Sequence, residues 1–124
     1  MKITTFNPQI MTKDAEPIIK LFEELGFEKT HTKTDIGVLE VTGIRMKNEN
    51  GFHLDISTAE SFPEGDKLMI RMNVDDIDAT YQLLKRHGFS SIYGSQKVES
   101  KHSENMIMVS PSGFAINLVK HIKE

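Results

Sequence analysis

Apolar residues recur at every second position in several short stretches of the chain, and at every third or fourth position in two others. The alternation is clearest over residues 68–74, where four apolar residues stand at the even positions: Leu68, Ile70, Met72 and Val74. A period of two indicates a β-strand with one apolar face, whereas spacings of three and four indicate an amphipathic helix. The chain is therefore predicted to combine strands and helices.

Two helices and eight strands are predicted from these patterns. The first helix follows Asp14 and ends at Gly26, and the second follows Asp76 and ends at Gly88. Acidic residues favour helix starts and glycine favours helix ends, which supports both assignments. The predicted strands cover residues 2–11, 27–33, 36–47, 52–57, 68–74, 89–98, 106–110 and 114–121.

The second half of the chain repeats the first at a constant offset of 62 residues. Gly113 corresponds to Gly51 and Asn117 to Asp55, and the same shift relates the two helix starts and the two helix ends. A repeat of this kind indicates two copies of one βαβββ unit. The predicted division is a first module over residues 1–58, a linker over 59–66 and a second module over 67–124.

The strands of each module are predicted to carry two different faces. In the last strand of the first module the even positions are apolar (Phe52, Leu54 and Ile56), so this face is expected to pack on the helix. Because side chains alternate along a strand, the other face is polar. If the two sheets curve towards each other, these polar faces line a common cup. Its predicted ligand-binding residues are Asn7, Gln9, His53, Asp55, Met69, Arg71, Asn73 and Asn117.

Composition and charge exclude several classes of function. The chain has 124 residues, a formal net charge of −3 and no cysteine, which rules out a disulfide framework, a thiolate nucleophile and a cysteine zinc site. Lys and Arg are scattered and do not form the basic patch typical of nucleic-acid binding. The sequence shows neither a signal-peptide pattern nor an apolar stretch long enough to span a membrane. We expect a cytoplasmic protein that binds neither nucleic acid nor membrane.

Three features together resemble the vicinal-oxygen-chelate superfamily, which includes glyoxalases, bleomycin resistance proteins and extradiol dioxygenases. They are the tandem βαβββ repeat, an Asp-led helix that ends in Leu25-Gly26-Phe27, and Pro111-Ser112-Gly113 before the last strand. The resemblance covers essentially the whole chain. It implies an α+β fold in which curved mixed sheets form a cup with the helices outside. It also implies a homodimer, with modules paired within a chain or exchanged between chains.

The resemblance further implies where a metal would be held. In the superfamily's metal enzymes one ligand lies on the first strand of each module, seven residues before the helix-leading Asp, and an acid lies on each last strand, four residues after the Gly. These positions are Asn7, Asp55, Met69 and Asn117 in this chain. Of the four, Asp55 is the one good ligand for a divalent cation. No metal or other cofactor is therefore expected; the alternative is an atypical metal site in which His53 joins Asp55.

Several polar residues have two interpretations. His53 and Asp55 are candidate catalytic residues, since His titrates near neutral pH and a carboxylate beside it shifts that titration, or they lie on a solvated face. Arg71 either anchors a carboxylate or phosphate of a ligand or pairs with Asp55. Asn7 and Asn117 hydrogen-bond either a ligand or each other. The remaining histidines share no spacing and are interpreted as surface residues: His31, His87, His102 and His121.

Three functions follow from these interpretations. The first is a protein similar to the bleomycin resistance proteins, which binds or sequesters a small polar or aromatic molecule in a metal-free cup. The second is a glyoxalase-like lyase or isomerase with an atypical site around Asp55 and His53. The third is a structural or interaction module whose cup is filled by its own side chains.

Overall fold

The computed structural model describes residues 1–34, 40–92, 98–99 and 103–121. The chain divides into two compact units. The first unit is Asn7–Leu68, and the second unit combines Met1–Phe6 with Met69–Glu124. Each unit contains one helix and a mixed sheet, so the predicted α+β class is confirmed.

The first unit contains one helix and a sheet in the order β2-β3-β4-β1. Strand β1 is parallel to β4, and the other two pairings are antiparallel. The elements are β1 (Ile3–Thr12, of which residues 7–12 belong to this unit), α1 (Glu16–Glu24), β2 (Glu28–Thr34), β3 (Thr42–Lys47) and β4 (His53–Thr58).

The second unit repeats this arrangement, with β5 parallel to β9 and the order β5-β9-β8-β6. Strand β7 also pairs with β8. The elements are β5 (Lys67–Val74), α2 (Ile77–Arg86), β6 (Ser90–Ser91), β7 (Val98–Glu99), β8 (Ser103–Val109) and β9 (Ala115–His121). The N-terminal residues join this unit through Lys2, whose backbone N–H donates to Asp75 Oδ1 over 2.6 Å.

The helix ends show why these segments form. Asp76 is the N-cap of α2, and its Oδ1 accepts from the N–H of Ala79 over 3.0 Å. Helix α1 has Ala15 at its N-cap position without a side-chain hydrogen bond. Asp14 acts one residue earlier, because its Oδ1 accepts from the N–H of Glu16 over 3.2 Å. Past α1, Gly26 has a φ of 99°, a conformation that favours glycine.

Each helix packs on the apolar face of its own sheet, as the alternation predicts. The core of the first unit consists of Ala15, Ile19, Ile44, Met46, Leu54 and Ile56. The core of the second unit consists of Met72, Val74, Ile77, Leu84, Met106, Met108, Ile116 and Leu118. In both units the sheet residues of the core alternate with the residues that carry the polar face.

At the starts of two strands, the alternation wrongly predicts that apolar residues pack on the helix. Phe52 is 65% exposed and Leu68 is 71% exposed, so neither belongs to the helix-packed core. Phe52 lies one residue before β4 begins, and Leu68 is the second residue of β5. A period of two fixes which face a residue shares but not whether the helix reaches that far along the strand.

Three predicted strands differ from the structure by more than one residue at an end, and the others differ by one residue. The strand predicted over 36–47 is described from Thr42, and residues 35–39 lie outside the described residues. The strand predicted over 89–98 is described as two short strands, β6 and β7, while 93–97 lie outside. The strand predicted over 106–110 begins earlier, at Ser103. His102 is also outside the described residues.

Within the described ranges, the two helices are too short to cross a membrane.

Candidate functional site

The polar face of the first unit is a row of side chains across three neighbouring strands. Gln9 on β1 stands opposite Asp55 on β4, and Asp55 stands opposite Arg45 on β3. Residues that are directly opposite in a sheet project to the same side. The neighbours of Asp55 along β4, Leu54 and Ile56, lie in the helix-packed core. The row of Gln9, Asp55 and Arg45 therefore faces away from α1.

Asp55 is held from two sides in this row. Its Oδ1 accepts from Arg45 Nε over 2.8 Å, and its Oδ2 accepts from Arg45 Nη2 over 3.3 Å. Oδ2 also accepts from the Asn7 side-chain amide over 3.0 Å. The Asp55 side chain is 5% exposed and that of Arg45 is 32% exposed. The buried carboxylate is thus compensated by a guanidinium that still reaches solvent.

The other predicted site residues of the first unit lie around this cluster. Gln9 is 2% exposed, and its amide donates to the Ser57 hydroxyl. His53 is half-buried on the same face, two residues before Asp55 and opposite Lys47. No hydrogen bond joins His53 to Asp55 in the described part of the chain. The predicted pair therefore shares a face of the sheet without direct contact through a hydrogen bond.

The second unit carries the remaining predicted residues on its own polar face. Arg71 stands opposite Asn117, and Arg71 Nε donates to Asn73 Oδ1 over 3.2 Å. Asn73, Asn117 and Met69 are 5%, 7% and 5% exposed, although none of them belongs to the helix-packed core. The pairing of Arg71 with Asp55 and the contact between Asn7 and Asn117 stay predictions.

Arg45 is the central residue that the sequence interpretation missed. It lies between Ile44 and Met46, both of which are in the core, so the alternation alone places Arg45 on the polar face. Its pairing with Asp55 depends on the register of β3 against β4, which the alternation does not fix. The alternation within residues 44–46 was therefore the sequence signal that could have found Arg45. Its partner Asp55 could be identified only from the register of the two strands.

The residues at the four positions where the resemblance implies metal ligands do not fit a divalent metal. Two are amides and one is a thioether, and the carboxylate of Asp55 is already engaged by a guanidinium. The positive charge of Arg45 would oppose a second cation on the same oxygens. Among the described residues, no group of three or more His, Asp or Glu side chains is arranged to hold a metal ion.

An open groove of about 630 Å³ lies elsewhere in the first unit, beside Leu25 and Gly26 and along residues 47–50. Its lining is mostly polar and includes none of the three hydrogen-bonded residues Asn7, Arg45 and Asp55, which we call the Asp55 cluster. We regard the buried polar row as the better candidate site, because a ligand site combines burial with convergent polar groups.

Comparisons with known proteins show the class of fold. No family model matches the chain, and no curated protein matches it in sequence. Among solved structures it is similar to methylmalonyl-CoA epimerase from Mycobacterium tuberculosis, with 14% identity, a TM-score of 0.70, and coverage of 98% of this chain and 90% of that one. It is also similar to a Streptomyces coelicolor methylmalonyl-CoA epimerase variant in complex with 2-nitronate-propionyl-CoA, with 16% identity, a TM-score of 0.68, and coverage of 98% of this chain and 100% of that one. A third similar structure is a hypothetical protein from Bacillus halodurans, with 12% identity, a TM-score of 0.72, and coverage of 100% of this chain and 98% of that one.

These likenesses confirm the fold that the sequence resemblance implies. The chain has the fold of the vicinal-oxygen-chelate superfamily, the glyoxalase and bleomycin resistance fold. At identities of 12% to 16%, the likeness concerns the fold and does not assign an activity.

Proposed function

We propose that the protein binds a small polar molecule on the polar faces of its sheets, without a resident metal. The observation that carries the proposal is the burial of five polar side chains on these polar faces, outside the helix-packed cores: Asn7, Gln9, Asp55, Asn73 and Asn117. Burying such groups is costly unless they are hydrogen-bonded, and an apolar face would stabilise the fold more simply. A face of this kind suits the recognition of a polar ligand.

The Asp55 cluster supports binding by hydrogen bonds and opposes binding through a metal. Arg45 and Asn7 hold both oxygens of the carboxylate, so the carboxylate sets the orientation of two donor-bearing side chains. Such fixed donors recognise a ligand with little loss of side-chain entropy on binding. The homodimer implied by the resemblance and a cytoplasmic location are parts of the same proposal.

A ligand screen tests this function. We expect at least one class among polar aromatics, glycopeptides and acyl-CoA thioesters to raise the melting temperature, because a ligand at a hundred times its Kd stabilises the folded state by about 2.7 kcal/mol. The shift is measured by thermal unfolding with each compound at saturating concentration. If no class stabilises the protein, the polar faces serve the structure alone and the proposal is wrong.

Two variants locate the binding. Asn7→Ala removes a donor from the polar face and is expected to weaken binding of the screened ligand about tenfold, the effect of about 1.4 kcal/mol. Thr32→Val is the matched control, because Thr32 stands opposite Ile44 and so shares the other face of the sheet. Equal affinities for both variants would place the ligand elsewhere on the molecule.

A further inference from the structure

The guanidinium of Arg45 has an unused edge. Of its five N–H groups, Nε–H and one N–H of Nη2 are directed to Asp55. The other three, two on Nη1 and one on Nη2, make no hydrogen bond with any residue in the described ranges. The side chain is 32% exposed, and Nη1 is not among the fully buried unpartnered atoms of the described residues, so this edge reaches solvent while Asp55 holds the other edge.

A glycine lies beside this edge without a local reason to be glycine. Gly43 precedes Arg45 by two residues on β3 and therefore shares its face. Its φ is not positive. Among the described residues, a Cβ built on Gly43 would meet the Lys33 carbonyl oxygen alone, at 3.8 Å, which is ordinary contact. Glycine inside a strand often marks a place where a ligand approaches the backbone closely.

The residues opposite Gly43 are a small polar side chain and a lysine. Ser57, which is small, stands opposite Gly43 on β4, and Lys33 stands opposite it on β2. His31 stands opposite Arg45 on the same edge strand, and both β2 residues are exposed. Gly43, which neighbours Arg45 on the same face, thus has a small side chain opposite it on one side and an exposed lysine opposite it on the other.

We propose that Gly43, Arg45 and Ser57 form an anion subsite on the first unit, which receives a carboxylate or phosphate group of a small molecule. The proposal rests on the proposed binding function and names the chemistry of its ligand. The two Nη groups of an arginine match the two oxygens of such a group. Asp55 is the positioning residue, since it fixes the plane of the guanidinium. Gly43 and Ser57 leave room above the sheet for the bound group.

NMR titration of the full chain tests the subsite. Inorganic phosphate and malonate are added separately to ¹⁵N-labelled protein at constant ionic strength, with sodium chloride as the reference. We expect at least one of them to move the Arg45 Nε–H signal and the amide signals of 43–45 and 57 in a saturable way. A response to phosphate alone supports a phosphate ligand, and a response to malonate alone supports a carboxylate ligand. If neither exceeds chloride, the subsite is refuted.

Gly43→Val distinguishes a subsite from a surface charge effect. Valine favours strands, and a Cβ at this position meets no described atom at a strained distance, so the fold is expected to persist with the Arg45–Asp55 pair intact. It fills the space beside the guanidinium and is expected to weaken the anion response about tenfold, as expected for the loss of one charge-assisted hydrogen bond. Thr32→Val, on the opposite face, should leave the response unchanged. An undiminished response in Gly43→Val would overturn the proposal.

The outcome separates this inference from the proposed function. If neutral compounds stabilise the protein in the ligand screen while phosphate and malonate have no effect, the anion subsite fails and the binding function stands. If nothing binds in either experiment, both fail.

Discussion

At the scale of single residues, the Arg45–Asp55 pair is asymmetric. Asp55 is almost fully buried, whereas about a third of the Arg45 side chain is exposed. A buried charge that loses its partner is strongly destabilising, but a partly exposed guanidinium that loses its partner can be solvated by water. The pair therefore stabilises the fold mainly by compensating the carboxylate, and the two residues should respond differently to substitution.

We expect Arg45→Met to lower the free energy of unfolding by about 3–5 kcal/mol, because it leaves the buried carboxylate without its cation. Asp55→Asn should cost less, about 1–2 kcal/mol, since its amide oxygen can still accept from Arg45 and its amide nitrogen can donate to Asn7 if the Asn7 amide turns over. The double variant should be no less stable than Arg45→Met. Urea unfolding measures all three changes.

The exposed pair of Lys13 and Glu64 provides the control. Its atoms lie 3.3 Å apart, and the side chains are 46% and 88% exposed. Removing Lys13 should change stability by less than about 1 kcal/mol. If Arg45→Met cost no more than Lys13→Met, the carboxylate of Asp55 would not need its partner and the argument from burial would be wrong.

At the scale of elements, the start of α2 also holds the N-terminal segment of the chain. Asp75 precedes the N-cap residue, and its carboxylate accepts from the backbone N–H of Lys2 while its own N–H donates to the Lys2 carbonyl. The hydrogen bond from Lys2 holds the pKa of Asp75 below its usual value of 3.8, with a smaller contribution from the nearby positive N-terminus. One residue thus joins the N-terminal segment to the start of α2 within the second unit.

The lowered pKa predicts how Asp75 affects stability as pH changes. A carboxyl group whose folded pKa is depressed stabilises the fold above its unfolded pKa, and this contribution is lost as pH falls through the folded pKa. We expect Asp75→Asn to be less stable than the wild type at neutral pH, and the difference to shrink as the pH falls below 3.8 and to vanish once the pH is below the folded pKa of Asp75. Denaturant unfolding between pH 7 and the acid limit measures the difference.

Glu49→Gln is the control for this pH dependence. Glu49 is an exposed carboxylate in the turn before β4, and its removal also deletes one negative charge. Its stability should follow the wild type across the whole range. A difference between Asp75→Asn and the wild type that persisted unchanged into acid would show that the hydrogen bond from Lys2 does not depend on the charge of Asp75.

At the scale of the whole molecule, the repeat explains what could be predicted. The apolar spacing, the acidic starts and the glycine ends in each copy placed both helices, the cap at Asp76 and the turn at Gly26, because capping and glycine chemistry act within a few residues. The alternation placed Asp55 on the polar face and Leu54 in the core. These are local properties, and the sequence carries them directly.

What could not be predicted depends on contacts between distant segments. Arg45 and Asp55 meet because β3 and β4 pair in one particular register, which neither strand specifies alone. The exposure of Phe52 depends on where the helix stops covering the sheet. Tertiary context decides each of these.

Whether the protein binds a divalent metal also concerns the whole molecule, because the four positions where the resemblance implies metal ligands are divided between the two units: Asn7, Asp55, Met69 and Asn117. One carboxylate, already paired with a guanidinium, is a poor basis for a divalent site. We therefore expect nickel, zinc, manganese and iron(II) to leave the melting temperature unchanged, and a chelator to have no effect. If the protein had a metal site, a metal at a hundred times its Kd would raise the free energy of unfolding by about 2.7 kcal/mol, which thermal unfolding detects easily. Stoichiometric metal in the purified protein that is lost in Asp55→Asn would contradict this prediction, and would mean that Arg45 leaves the carboxylate when metal binds.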